Sequence, residues 1–210
     1  MPKLAPKTQH ARREHILDAA ERCFITKGFH HATMDGICRE AGVSPGALYT
    51  YFSSKEDLIG GLCEREMDRF GKELAKMSEA CDFMAALHRM AEQYCCNEPI
   101  EKVRLHVEIG AEAGRNALIG NTVRENDKAV SESLVQLLER ERNQGRIAPK
   151  VPLEIIVRAM GALGDGLFLR RTLDPHFDPK SIIPAMMTMI EALLAPVTVS
   201  NPGEKTGRPY

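Results

Sequence analysis

Apolar residues recur at helical spacing along most of this chain, and almost nowhere do they alternate. Between Gln9 and Lys27, Ile16, Leu17, Ala20, Cys23 and Phe24 fall on one helical face, and Gly28 followed by Phe29 suits a helix end with its apolar contact. Met34, Ile37, Cys38 and Ala41 mark a short helix over 33 to 41, for which Thr33 is a good N-cap. A further helix opens at Ser53-Ser54-Lys55-Glu56-Asp57-Leu58, where Ser54 and Asp57 are spaced as a capping box. It runs on through Leu62, Met67, Phe70, Leu74 and Met77. The remaining pattern predicts helices near 81 to 97, 100 to 113, 117 to 144, 152 to 172 and 179 to 195. Breaks fall at Asn97-Glu98-Pro99, Gly114, Gly145 to Pro152 and Asp174-Pro175. No hairpin signal appears, so the expected fold class is all-α.

The stretch from Thr33 to Lys55 carries chemistry. After the short helix, Gly42-Val43-Ser44 interrupts for three residues and a second helix starts at Pro45, which is the layout of a helix-turn-helix. Gly42 can take the positive φ that ends a helix, Val43 can drop between the two helices, and Ser44 can cap the next one. Pro45 suits a first helical position, and small Gly46 and Ala47 let that N-terminus approach a phosphate or base edge. Leu48 and Phe52 anchor the helix inward, leaving Tyr49, Thr50 and Tyr51 to project outward. The competing reading, a helical hairpin inside a bundle core, fits two tyrosines and a threonine on one surface poorly.

Composition narrows the picture. At 210 residues with 43% hydrophobic content the chain can bury a sizeable core. No apolar run is long enough for a bilayer and the first residues lack the apolar core of a secretion signal, so a cytoplasmic location is expected. Cys23, Cys38, Cys63, Cys81, Cys95 and Cys96 are scattered among helical positions, the usage of reduced thiols rather than of a disulfide framework. A net charge of -1 excludes nonspecific coating of nucleic acid and requires a local cationic surface. Lys3, Lys7, Arg12 and Arg13, with no acid among the first thirteen residues, offer one. Residues 1 to 7 read either as a basic arm that orders on DNA or as a solvated tail. The expected organisation is a helix-turn-helix domain with its basic arm over 1–54, a helical body over 55–195, and a disordered tail over 196–210.

These residues resemble the TetR/AcrR-type transcriptional regulators. The resemblance runs through residues 11 to 58, in Ile16-Leu17-Asp18-Ala19-Ala20, Phe24, Gly28-Phe29, Ala32-Thr33-Met34, Ile37-Cys38, Ala41-Gly42-Val43-Ser44, Gly46, Leu48-Tyr49, Tyr51-Phe52 and Ser54-Lys55-Glu56. It implies an all-helical homodimer in which an N-terminal three-helix helix-turn-helix domain is joined by a long connector helix to a C-terminal helical ligand-binding and dimerisation domain, here over 55–195. It also implies phosphate contacts from Thr33, Tyr49, Tyr51 and Lys55, with Ser44, Pro45, Gly46, Ala47 and Thr50 at or near base edges. Past residue 60 the match thins. Gly161 to Arg170 and Leu173-Asp174-Pro175 resemble the penultimate helix of the subgroup that includes the choline-responsive repressor of betaine synthesis. That bears on architecture and does not carry choline over as a ligand.

In the body, small residues at Ala159, Gly161, Ala162, Gly164 and Gly166, with the apolar run Ile183, Met186, Met187, Ile190 and Leu194, suit either a four-helix dimer interface or an internal core. A cavity is expected among the helices beginning near 81, 100, 117 and 152. Met84, His88, Tyr94, His106, Met160 and Phe168 are the candidate lining residues, with core packing the alternative for each. Cys81, His88 and Cys95, spaced by sevens, raise a metal- or redox-sensing alternative. Residues two turns apart are about 10 Å apart, so such a site needs donors from other helices, and no metal or cofactor is expected. No H-E-x-x-H, G-x-S-x-G or phosphate-cradling glycine loop occurs, which argues against an enzyme. The expected function is a repressor released from a palindromic double-stranded operator by a small-molecule effector, with no membrane partner.

Overall fold

The computed structural model describes residues 6–197; expectations for Lys3 and the rest of 1–5, and for 198–210, lie outside the described residues. The described chain is helical: α1 (Pro6–His31), α2 (Met34–Ala41), α3 (Pro45–Tyr49), α4 (Lys55–Ser78), α5 (Phe83–Cys95), α6 (Ile100–Ala113), α7 (Ala117–Asn143), α8 (Leu153–Leu173), a 3-10 turn at Pro179–Ser181, and α9 (Ile183–Leu194). No strand is present among the described residues beyond an isolated bridge between Ile147 and Pro196.

Helix ends follow local chemistry. Asp82 and Asn116 accept hydrogen bonds from the first turns of α5 and α7. The start of α4 departs slightly from the capping box. Ser54 caps the Asp57 N–H as expected, while the Asp57 carboxylate reaches one residue further back, to the N–H and hydroxyl of Ser53. The first helix also starts earlier than the pattern implies, at Pro6, so residues 6 and 7 belong to it. Its regular winding breaks at Gly28 (φ 75°), and a last turn carries Phe29 inward.

Two apolar clusters organise the chain. The first joins α1, α2 and α3 through Leu17, Phe24, Ile37, Leu48 and Phe52. It does not stop at residue 54: Leu58, Ile59 and Leu62 of α4, Leu105 of α6 and Ile119 of α7 complete it. Burial against α4 is close, because a Cβ on Gly61 would lie 2.8 Å from both Leu17 and Phe52. The second cluster fills the body, from Leu74 and Met77 at the far end of α4 to Ile156, Leu167, Met187 and Leu194.

The expected tail is corrected at its first residues. Val197 donates its N–H to the Arg146 carbonyl at 2.8 Å, and Ala148 donates to the Leu194 and Ala195 carbonyls, so Pro196 and Val197 are tied to the loop after α7. That loop is itself held by Arg146, whose guanidinium grips the Glu141 carboxylate through two nitrogens; Glu141 is 1% exposed.

Candidate functional site

The head is built as its sequence requires. Gly42 adopts φ 62°, its N–H and that of Val43 return to the Arg39 and Cys38 carbonyls, and the chain reverses between α2 and α3. Ser44 caps the Ala47 N–H and Pro45 takes the first helical position. The regular part of α3 is short, ending at Tyr49, with Thr50 and Tyr51 in the turn that follows.

Ser44, Pro45 and Gly46 are exposed, and a Cβ on Gly46 would meet nothing within 4 Å. Tyr49 is 53% exposed. Thr50 is exposed as well, but its hydroxyl donates to the Gly46 carbonyl at 2.8 Å, leaving only lone pairs free. Ala47 is half-buried. Tyr51 departs from the outward expectation: it is half-buried against the head's apolar cluster, since the chain has left α3 by that position. Thr33 uses its oxygen to cap the Gly36 N–H, which keeps its own O–H available.

Lys55 has structural work that the sequence did not signal. Its ammonium donates to the Phe29 carbonyl at 2.6 Å and the His30 carbonyl at 3.3 Å, and lies 4.4 Å from the Phe29 ring centroid. A cation there completes the carbonyl end of α1. Of the cationic arm, Arg13 is likewise engaged, stacked on Phe52 and paired with Glu64; Arg12 is exposed.

In the body a cavity of about 660 Å³ lies between α4, α6, α7 and α8, with Glu21 of α1 and Tyr94 of α5 on its wall. It takes α4 where the sequence suggested more of α5. Tyr94, His106 and Phe168 line it; Met84, His88 and Met160 do not. Met84 and Met160 pack against the body's apolar cluster, and half-buried His88 stands 3.9 Å from Glu92. On α5 these two positions share a face that Tyr94 does not, which is the reason for the split.

The wall combines apolar surface with charge. Tyr94 packs edge-on against Phe70, and Arg69 sits 4.9 Å above the Tyr94 ring while binding Glu98, which is 8% exposed. Both Arg69 Nε and the Tyr94 hydroxyl are shut off from solvent without a hydrogen-bond partner among the described residues. At the opposite end His106 meets Phe168 edge-on at 5.0 Å and stands 3.8 Å from Asp165. Asp127 stays open to solvent as a residue, yet the wall removes enough water from its carboxyl to raise its pKa; the charge of Asp165 adds to this and His106 opposes it.

Helix α6 connects cavity and head. Leu105, His106 and Ile109 face the cavity, while Glu108 accepts the Phe29 N–H at 2.8 Å and Glu112 pairs with His30 at 3.1 Å. Periodicity alone hides this pair. The visible signal is two carboxylates four apart on a mostly apolar helix, which share one face.

The sensing alternative finds no assembled site. Cys81 is exposed ahead of α5, Cys95 is buried at its far end, and His88 lies between with Glu92 beside it. Among the described residues no group of three His, Cys, Asp or Glu side chains is disposed to hold a metal ion, and no helix is long and apolar enough to cross a membrane. Burial pushes the Cys63 and Cys95 thiols up to about 11.

Comparison with known proteins agrees with this anatomy. Residues 16–62 match the family of bacterial regulatory proteins of the tetR family, and residues 84–195 match the C-terminal family of BetI-type transcriptional repressors. The HTH-type transcriptional regulator UidR of Escherichia coli is 31% identical over 141 residues, covering 66% of this chain and 70% of that protein. The HTH-type transcriptional repressor AcnR of Corynebacterium diphtheriae is 24% identical over 170 residues, covering 81% and 86%. Among solved structures, Salmonella enterica GusR superposes with a TM-score of 0.77 at 27% identity, over 92% of this chain and all of that one. Bacillus subtilis FadR in complex with stearoyl-CoA shares the fold, with a TM-score of 0.72 at 18% identity over 84% and 96%.

Proposed function

Because this chain belongs to the TetR family of bacterial regulatory proteins, we propose that it is a cytoplasmic, ligand-responsive repressor. On this reading a homodimer sets two copies of α3 in successive major grooves of a palindromic operator and lets go when a small molecule enters the body cavity. A structural relative carries stearoyl-CoA, so the fold accommodates a small ligand. The head, 1–54, would read DNA and the body, 55–195, would bind effector and partner, with α4 shared between them.

One observation carries the proposal: α6 walls the cavity on one side and, through Glu108 and Glu112, holds the end of α1 on the other. A ligand releases DNA only by favouring a conformation that cannot span both half-sites. Filling the cavity biases the position of α6, and α6 carries the head with it.

The proposed DNA contacts combine side chains that keep free hydrogen-bonding capacity with the small residues at the start of α3, which admit close approach. The Thr33 hydroxyl, Tyr49, Tyr51 and the remaining N–H of Lys55 would serve phosphates. Ser44, Pro45, Gly46, Ala47 and Thr50 would sit at base edges, where Thr50 can only accept. For the partner, the outward apolar positions of α8 and α9 would form the dimer face.

The test is selection of bound DNA from a random library, followed by mobility shifts on the selected site. A palindrome should emerge, and Tyr49→Ala with Lys55→Ala should abolish the shift. Unchanged binding by that double variant would refute the assignment.

A further inference from the structure

The charge balance of the cavity bears on the chemistry of its occupant, an inference that rests on the cavity being the effector site. Each cation on its wall is already neutralised. Arg65 binds Asp18 and Glu21, Arg69 binds Glu66 and Glu98, and Lys102 lies 3.0 Å from Glu21. At the rim the balance reverses. Asp127 from α7 and Asp165 from α8 form no ion pair with Lys or Arg among the described residues, and the basic group beside them is His106 of α6. Between rim and far end, Leu62, Phe70, Val103, Val130 and Phe168 present apolar surface.

We propose that the effector is an amphipathic organic amine, its apolar body lying against Phe70, Val130 and Phe168 and its ammonium group at the rim between Asp127 and Asp165. An ammonium there gains two carboxylates that no Lys or Arg among the described residues neutralises. A carboxylate ligand fares worse in either orientation. Placed at the rim it meets two like charges. Placed inward it must draw Arg69 away from Glu98, leaving a buried carboxylate unpaired. The inward end instead suits a neutral hydrogen-bond acceptor, such as an ether or carbonyl oxygen, which the Tyr94 hydroxyl and Arg69 Nε could serve. A cavity of about 660 Å³ is of the size that encloses a drug-sized molecule.

Calorimetric titration of the full chain with decylamine, decanol and decanoate, each below its micelle threshold, tests this. These probes share one apolar body and differ in head group. Decylamine should bind at least about tenfold tighter than decanoate, the scale expected for two partly screened charge contacts. The double variant Asp127→Asn, Asp165→Asn should lose that preference and keep its affinity for decanol, which shows that the cavity is intact. Equal or tighter binding of decanoate, a preference that survives the double substitution, or no binding of decylamine overturns the proposal. A mobility shift on the same preparation separates the two readings. Protein that binds operator but not decylamine refutes only the amine, and protein that binds decylamine but no DNA refutes only the repressor.

Discussion

The Glu108 carboxylate accepts the backbone N–H of Phe29 at 2.8 Å, joining the helix that walls the cavity to the helix that braces the DNA-reading head. Glu108→Ala would leave that amide, on a residue 4% exposed, without its acceptor, a loss of about 1–3 kcal/mol. The caps and core of the head stay intact, so operator affinity without effector should change little. The effector-induced loss of affinity should shrink. Glu108→Gln retains the acceptor oxygen and should keep the response. Mobility shifts with and without effector, beside urea unfolding of each variant, check the pattern.

Lys55 and Tyr49 should separate stability from DNA affinity. Lys55→Ala removes an ammonium that binds two carbonyls at the end of α1, so it should lower stability by about 1 kcal/mol. It should also weaken binding to all DNA sequences alike and reduce the salt slope by about 1. Tyr49 is exposed and its removal opens no core, so Tyr49→Ala should weaken DNA binding with stability unchanged. Binding isotherms across salt concentrations, with thermal melts, distinguish the two.

The head was legible in the sequence because its constraints are local. Gly42, Ser44 and Pro45 each answer to a backbone geometry set within a few residues, and the structure places each in that geometry. The cavity was less legible because its wall is set by how helices far apart in sequence cross. Tyr94, His106 and Phe168 stand out as aromatic or polar residues in apolar runs, whereas nothing in the helical periodicity singles out Arg65, Arg69, Asp127 or Asp165. Met84, His88 and Met160 carry the same local signal as the lining residues and differ only in which neighbour α5 and α8 turn them toward. The structural role of Lys55 was hidden for the same reason, since its partners lie 25 and 26 residues away.

Half-buried Cys63 and buried Cys95 supply a pH signature. Burial raises Cys63 and Cys95 from an ordinary value of 9.0 to about 11, so the fold favours their protonated forms. Their contribution to stability is full below the unfolded value and is lost as pH rises from about 9 through about 11, because the unfolded chain releases those protons first. Replacing both by alanine should flatten this part of the stability curve. At pH 8, iodoacetamide should modify exposed Cys81 well before Cys63 or Cys95, and denaturant should erase the order; mass spectrometry of the alkylated peptides reads it out.

The Glu141–Arg146 pair should be unequal under substitution. Arg146→Ala leaves a carboxylate that is 1% exposed without its cation and should be the more destabilising of the two. Glu141→Met removes the buried charge itself and leaves Arg146, 36% exposed, to solvent, so it should cost less. Urea midpoints for the two variants decide the order, and the larger loss should accompany release of the Val197 to Arg146 contact.

The outward faces of α8 and α9 set the last expectation, which concerns the partner. Within one chain α8 turns Ile156, Val157 and Leu167 inward and leaves Ile155, Leu169 and Leu173 outward, the last 65% exposed; Ile182, just before α9, and Met189 on it are exposed beside buried Met186 and Ile190. Added Cβ atoms on Gly161 and Gly166 would meet nothing within 4 Å, so nothing in the same chain requires small residues there. Apolar side chains and open glycines on one surface suit close approach of a second copy. Leu173→Glu with Met189→Glu would bring four carboxylates into a symmetric interface, two from each subunit, and should yield monomers by sedimentation while the helical circular dichroism stays unchanged. Operator affinity should fall steeply in the same variant, because a single head reaches only one half-site. A variant that stays dimeric, or a monomer that binds the operator as tightly as the unmodified protein, would place the interface elsewhere.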